Sequence, residues 1–117
     1  MAKRYSEIRT SDGKTVCERC LVAEGPLLRM RGLLGRSGLP DDEGILLRPA
    51  SSIHMFFMRF AIDAVFLSRD LTVLKVVSDL GPWRMASRRR AHSVLELPAG
   101  ACARRGVREG DRLELAA

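Results

Sequence analysis

Apolar positions in this chain come in short runs, each stopped within about ten residues by glycine, proline or a charged turn. Thr15–Ala23 alternates, with Val16, Glu18, Cys20 and Val22 on one side and Cys17, Arg19, Leu21 and Ala23 on the other, as a strand requires. Glu24-Gly25-Pro26 breaks that pattern. Leu27, Met30, Leu33 and Leu34 then fall at helical spacing, which predicts a helix from Pro26 to Leu34, closed by Gly35, Gly38 and Pro40. Ile45-Leu46-Leu47 reads as a short buried strand ahead of Pro49. Ser51–Phe57 and Ile62–Leu67 read as strands, and Ser68-Arg69-Asp70 turns the chain back into Leu71–Val77 as a hairpin. Gly81-Pro82 breaks again, and Trp83–Arg90 continues as an extended basic edge. Ser93–Leu97 is a strand closed by Pro98-Ala99-Gly100, Ala101–Arg105 a single helical turn, and Arg112–Leu115 the last strand.

This pattern predicts a mainly β protein with a minor α component. It would be a compact small barrel or roll of about seven short strands with one or two short helices. Residues 1–13, ending in the turn pair Asp12-Gly13, are expected to be a flexible N-terminal lead-in to one β-rich domain over residues 14–117.

Composition narrows the picture. The 117 residues suit one domain with its own core, and the 46% hydrophobic content is that of a globular chain. No segment reaches the roughly 18 apolar residues of a membrane span. No apolar core of a signal peptide follows Met1–Glu7, so the expected location is the cytoplasm. Three cysteines cannot all pair within one chain, which agrees with a reducing compartment. The net charge of +6 rests on 17 arginines and 3 lysines. Residues 1–40 and 81–117 each carry an excess of +4, and residues 41–80 an excess of −2. A basic pole built from both ends would attract an acidic protein, an anionic ligand or nucleic acid; ordinary surface solvation explains the same charge without a partner.

Five motifs occur in a characteristic order: Arg31–Arg36, Gly44–Leu47, His54–Phe66, Val94–Gly100 and Gly106–Asp111. Together they resemble the domain of unknown function 192 family over residues 29–115, and Val94–Gly100 with the following Gly-x-x-x-Gly-Asp is the sharpest part. The resemblance implies a small, mainly β domain and brings no catalytic residues with it. The chain departs from the family in its centre. Where relatives often carry Trp-Met-Lys-Asn-Thr followed by Ile-Pro-Leu-Asp, this chain has His54-Met55-Phe56-Phe57-Met58 and Phe60-Ala61-Ile62-Asp63.

Several residues could carry chemistry. Asp63 lies in an apolar run, where an unpaired carboxylate is costly, so it either caps backbone donors or lines a cleft. With His54, Met55 and Glu96 it could form a pocket for a small ligand, or a small hydrolase using His54 and Asp63. Glu96 points with Val94 and away from Leu95 and Leu97, as on one solvated face. Cys17-Glu18-Arg19-Cys20 has the spacing of a metal knuckle, but in a regular strand its two sulfurs face opposite ways. No metal and no cofactor are therefore expected, and the thiols are assigned to the core. Phe56, Phe57 and Phe60 are expected there too, with the lining of an apolar pocket as the alternative. Arg84, Arg88, Arg89 and Arg90 beside Trp83 form the clearest binding feature: arginines neutralise phosphates or carboxylates, and an exposed indole stacks on a base or sugar. The same charges would also guard a sheet edge against aggregation. A non-enzymatic binding or accessory module is the preferred reading.

Overall fold

A computed structural model describes residues 4–24 and 36–116 of the chain. It is mainly β. The strands are β1 (Arg4–Thr10), β2 (Thr15–Ala23), β3 (Glu43–Leu47), β4 (Ser52–His54), β5 (Ile62–Leu67), β6 (Val73–Leu80), β7 (Met85–Ser87), β8 (Ser93–Pro98) and β9 (Leu113–Leu115). One short helix, α1 (Ala101–Arg105), follows β8. The helix expected over Pro26–Leu34 lies outside the described residues.

Seven strands form one sheet in the order β6-β5-β8-β3-β2-β1-β9. Every neighbouring pair is antiparallel except β2 and β3, which run parallel. The sheet curls into a half-barrel until its outer strands meet. Thr72 bridges Arg112, and the Leu113 N–H donates to the Leu71 carbonyl at 2.9 Å. β4 and β7 form a separate two-stranded sheet.

Two cores result. Inside the curl, Ile8, Val16, Leu46, Val65, Leu95, Leu97 and Leu113 pack together, and α1 plugs the space with Ala101 and Cys102. On the opposite face, Ile45, Ile62, Ala64, Phe66 and Val94 pack against Ile53 and Met55 from the small sheet. Strands β5 and β8 are covered on both faces, and all their residues are buried. This is why their sequences lack the alternation of a half-exposed strand.

Two expectations needed correction. Residues 4–10 are not a loose lead-in but strand β1, hydrogen-bonded to β2 on one side and β9 on the other. Ile8 is its deepest anchor, 2% exposed; pairing with the adjacent β2 and the sequence-distant β9, rather than its own polar pattern, makes this segment a strand. The basic segment Trp83–Arg90 is an edge, but of the separate small sheet, and it is extended only at β7, paired with β4; both of its ends are tight turns.

Candidate functional site: an aromatic and arginine-rich face

The small sheet alternates. Ile53, Met55 and Ala86 point into the second core, whereas Ser52, His54, Met85 and Ser87 are exposed on the outside. Beyond His54 the pairing continues, with the Met55 N–H donating to the Arg84 carbonyl and the Trp83 N–H to the Met55 carbonyl, both at 2.7 Å. Met55 is thus a core residue, 1% exposed, rather than a member of a cleft.

Three β-turns frame this sheet, and each breaks the usual turn chemistry in the same way. Met55–Met58, Gly81–Arg84 and Arg88–Ala91 are each closed by a hydrogen bond from the fourth N–H to the first carbonyl. In all three the third residue has positive φ: Phe57 at 65°, Trp83 at 66° and Arg90 at 70°. That position ordinarily takes glycine or asparagine, because a Cβ there costs about 1–2 kcal/mol. Here it carries phenylalanine, tryptophan and arginine.

The raised side chains make one surface. Phe57 is 72% exposed, Trp83 60% and Met85 67%, which corrects the expectation that Phe57 belongs to the core. His54 stacks on Phe56 with ring centroids 4.6 Å apart, Phe56 lies 5.9 Å from Trp83, and Phe57 lies 4.9 Å from Trp83. The His54 Nδ1 accepts the Phe56 N–H at 3.4 Å, which orients the imidazole against its neighbour. Arg84 stands beside Trp83. Arg88, Arg89 and Arg90 lie about 10 Å away at the far end of the three-residue strand. Among the described residues, every ion pair lies elsewhere, on Arg4, Arg9, Arg36, Arg48, Arg104 and Arg105. Arg59, Arg84, Arg89 and Arg90 are exposed and Arg88 is half-buried, its guanidinium donating to the Arg89 carbonyl at 2.9 Å; no carboxylate of a described residue is bound to any of them.

The other expected site residues are not brought together. Asp63 is fully buried on the inner face of β5. One carboxylate oxygen accepts the backbone N–H of Asp79 at 2.9 Å and of Gly100 at 3.1 Å; the other accepts that of Cys102 at 3.0 Å. It ties the start of α1 and the end of β6 to the sheet. His54 and Asp63 make no contact, so the proposed pair for general acid–base work does not form. Glu96 sits opposite Ala64 and Ile45, whereas Asp63 sits opposite Leu97, so the two carboxylates point to opposite faces of the sheet.

Glu96 corrects another expectation. Its face is not solvated, because the second core covers it, and it is 6% exposed with no hydrogen bond or ion pair to any described residue. Burial pushes its carboxyl up to about 7. No alternation of residues along β8 reveals a second layer packed on that face.

The cysteines differ from expectation in geometry. Ser6 pairs with Cys20 and Ile8 with Cys17, so β2 carries one residue more than β1 between the pairs, a bulge. The extra residue turns both sulfurs to the same side, and Cys17 and Cys20 share the inner core with Cys102. The interaction between the two neighbouring thiols holds Cys17 below its ordinary value and, together with burial, pushes Cys20 up. Burial, and then the Asp63 charge, raise Cys102 to about 12. Among the described residues no group of three or more metal-ligating side chains converges.

The fold and this face together define a small β half-barrel that displays an aromatic and cationic strip on a second, two-stranded layer. The chain belongs to the domain of unknown function 192 family, described as an uncharacterised ACR, whose family model matches residues 7–115. It is 43% identical over 118 residues to a UPF0127 protein of Pyrococcus furiosus, covering 92% of this chain and 95% of that one. A UPF0127 protein of Pyrococcus abyssi is 38% identical over 65 residues, 55% of each chain. Among solved structures, a Sinorhizobium meliloti protein described as a candidate transcription regulator superimposes with a TM-score of 0.83. It is 29% identical to this chain, and the match covers 97% of this chain and 94% of that one. A protein of unknown function from Novosphingobium aromaticivorans shares the fold, with a TM-score of 0.80 at 22% identity, covering 96% and 84% of the two chains.

Proposed function

We propose that this protein is a non-enzymatic binding module that takes an anionic partner, a single-stranded nucleic acid being the best fit, on the face formed by β4 and β7. The observation that carries this reading is the use of Phe57, Trp83 and Arg90 at three turn positions where glycine would be less strained. Strain of this kind persists where the side chain displayed has a use. The exposed rings offer stacking surface, and the arginines at both ends offer charge for a phosphate backbone. The structural likeness to a protein described as a candidate transcription regulator agrees with a nucleic-acid partner. A hydrolase built on His54 and Asp63 has no geometric support, since both oxygens of Asp63 are taken by backbone donors.

Trp83 is the single tryptophan, so it reports on its own site. Titration with a single-stranded oligonucleotide should quench its fluorescence saturably. Fluorescence unchanged at saturating oligonucleotide in low salt would rule the reading out.

A further inference from the structure

A second site lies where the end of β3, the β5–β6 turn and the start of β8 come together. Glu24, Arg48, Pro49, Arg69, Leu71, His92 and Ser93 line an open pocket of about 430 Å³. That volume falls within the roughly 300–1,000 Å³ of small-molecule sites. None of these residues belongs to the aromatic face.

The polar groups of the pocket are unevenly satisfied. The Glu24 carboxylate is committed, one oxygen to Arg48 Nε at 3.0 Å and the other to Arg4 at 3.4 Å. Arg48 is partly sunk, its side chain 23% exposed, and is fixed by that pair. Arg69 makes no ion pair or hydrogen bond with a described residue. The backbone of His92 is tied to Leu67 and Ala50, at 2.7 and 2.9 Å, but its imidazole is not engaged by any described residue. Ser93 is fully buried, and its hydroxyl is the buried side-chain oxygen without a partner among the described residues. A buried hydroxyl is ordinarily paired, because leaving it unmade forfeits its hydration with nothing in return. Leu71, on the wall, also holds a positive φ of 65°.

An orphaned buried hydroxyl, an uncommitted guanidinium and an uncommitted imidazole around one concavity share a complement: a compact group with several acceptor oxygens and negative charge. We propose that this pocket binds the phosphate group of a small phosphomonoester, with Arg69 neutralising the charge and Arg48 held on the wall by Glu24. The Ser93 hydroxyl and the His92 ring donate to its oxygens. A phosphate takes several donors at once, and a guanidinium matches two of its oxygens side by side. The pocket is larger than a bare phosphate needs, which leaves room for the organic part of the ester.

The test is calorimetric titration of the full chain with inorganic phosphate and with phenyl phosphate, at constant ionic strength set by chloride. Saturable binding of either, weakened at least tenfold by Arg69→Gln and several-fold by Ser93→Ala, is the expected result, and the tighter arm identifies ester or free ion. Arg69 is exposed, so its replacement leaves folding intact and the loss is readable as binding. Trp83→Ala should leave this titration unchanged, which separates the pocket from the aromatic face. Absence of saturable binding in both arms, or binding indifferent to Arg69→Gln and Ser93→Ala, would overturn the proposal.

Discussion

At the scale of single residues, two buried carboxylates on adjacent strands have opposite energetic roles. Asp63 is a structural hub: it collects three backbone N–H groups from two segments far apart in sequence. Asp63→Asn would turn an amide N–H₂ toward at least one of those donors, and should cost about 2–4 kcal/mol, read as a lowered urea midpoint. Glu96 has no partner among the described residues, and its carboxyl is raised from 4.5 to about 7 by burial alone. The folded protein therefore keeps this proton to higher pH than the unfolded chain does. Stability attributable to Glu96 falls as pH rises from about 4.5 to about 7 and is level above that. Glu96→Gln removes the titration. Its melting temperature should match wild type near pH 4.5 and exceed it by an increasing margin up to pH 7, equivalent to about 3 kcal/mol at the plateau. A constant difference across that range would contradict the assignment. The apolar run around Asp63 already announces a paired carboxylate. The burial of Glu96 was hidden, because alternation in β8 shows which residues share a face and not what lies over it.

At the scale of elements, long-range pairing decided what local pattern could not. The runs that became β2, β5 and β8, and the turn of helix at Ala101–Arg105, are legible because their apolar periodicity or their glycine and proline boundaries agree with the final structure. Strand β1 was illegible, since its polar residues give no periodic signal and its hydrogen bonds go to β2 and β9. The bulge in β2 was equally hidden: one unpaired residue reverses the facing of Cys17 relative to Cys20, and no local residue preference marks it. β3 packs closely over its neighbours at Gly44, where a Cβ would come within 2.9 Å of the Glu96 carbonyl oxygen and 3.0 Å of both Cys17 Sγ and Leu97 Cδ2. Backbone cannot yield as a side-chain tip can, so Gly44→Ala should cost about 1–3 kcal/mol in denaturant unfolding. The three turns around the small sheet lead to the reverse expectation. Phe57→Gly, Trp83→Gly and Arg90→Gly each relieve a left-handed Cβ, and should leave stability unchanged or raised by up to about 1 kcal/mol. Each should weaken oligonucleotide binding all the same. Destabilisation by all three would mean that these side chains serve the fold instead.

At the scale of the whole molecule, charge and topology are both segregated. The described ion pairs cluster on β1, β3, α1 and the segments flanking β2 and β3, while the arginines of the β4–β7 layer have no carboxylate partner among the described residues. Binding of a single strand there should weaken with salt by about 0.7 in log affinity per log unit of salt for each phosphate contacted. Four contacts would give a slope near −3, and an affinity indifferent to salt would exclude the arginines from the interface. Sequence composition exposed the basic excess of the C-terminal third, but not the separate layer on which it is mounted. The position of β1 has a further consequence, for synthesis. Its outer edge is completed only by β9, through pairs such as Ile8 with Leu115. A ribosome adds about 5–20 residues per second, so this edge stays open for roughly 5–20 s after β1 emerges. During that interval an unpaired strand is exposed to other nascent chains. The polar and charged side chains of Arg4, Ser6, Glu7 and Arg9, which hid β1 from a reading of hydrophobic pattern, are the kind that make such an edge a poor template for a stranger.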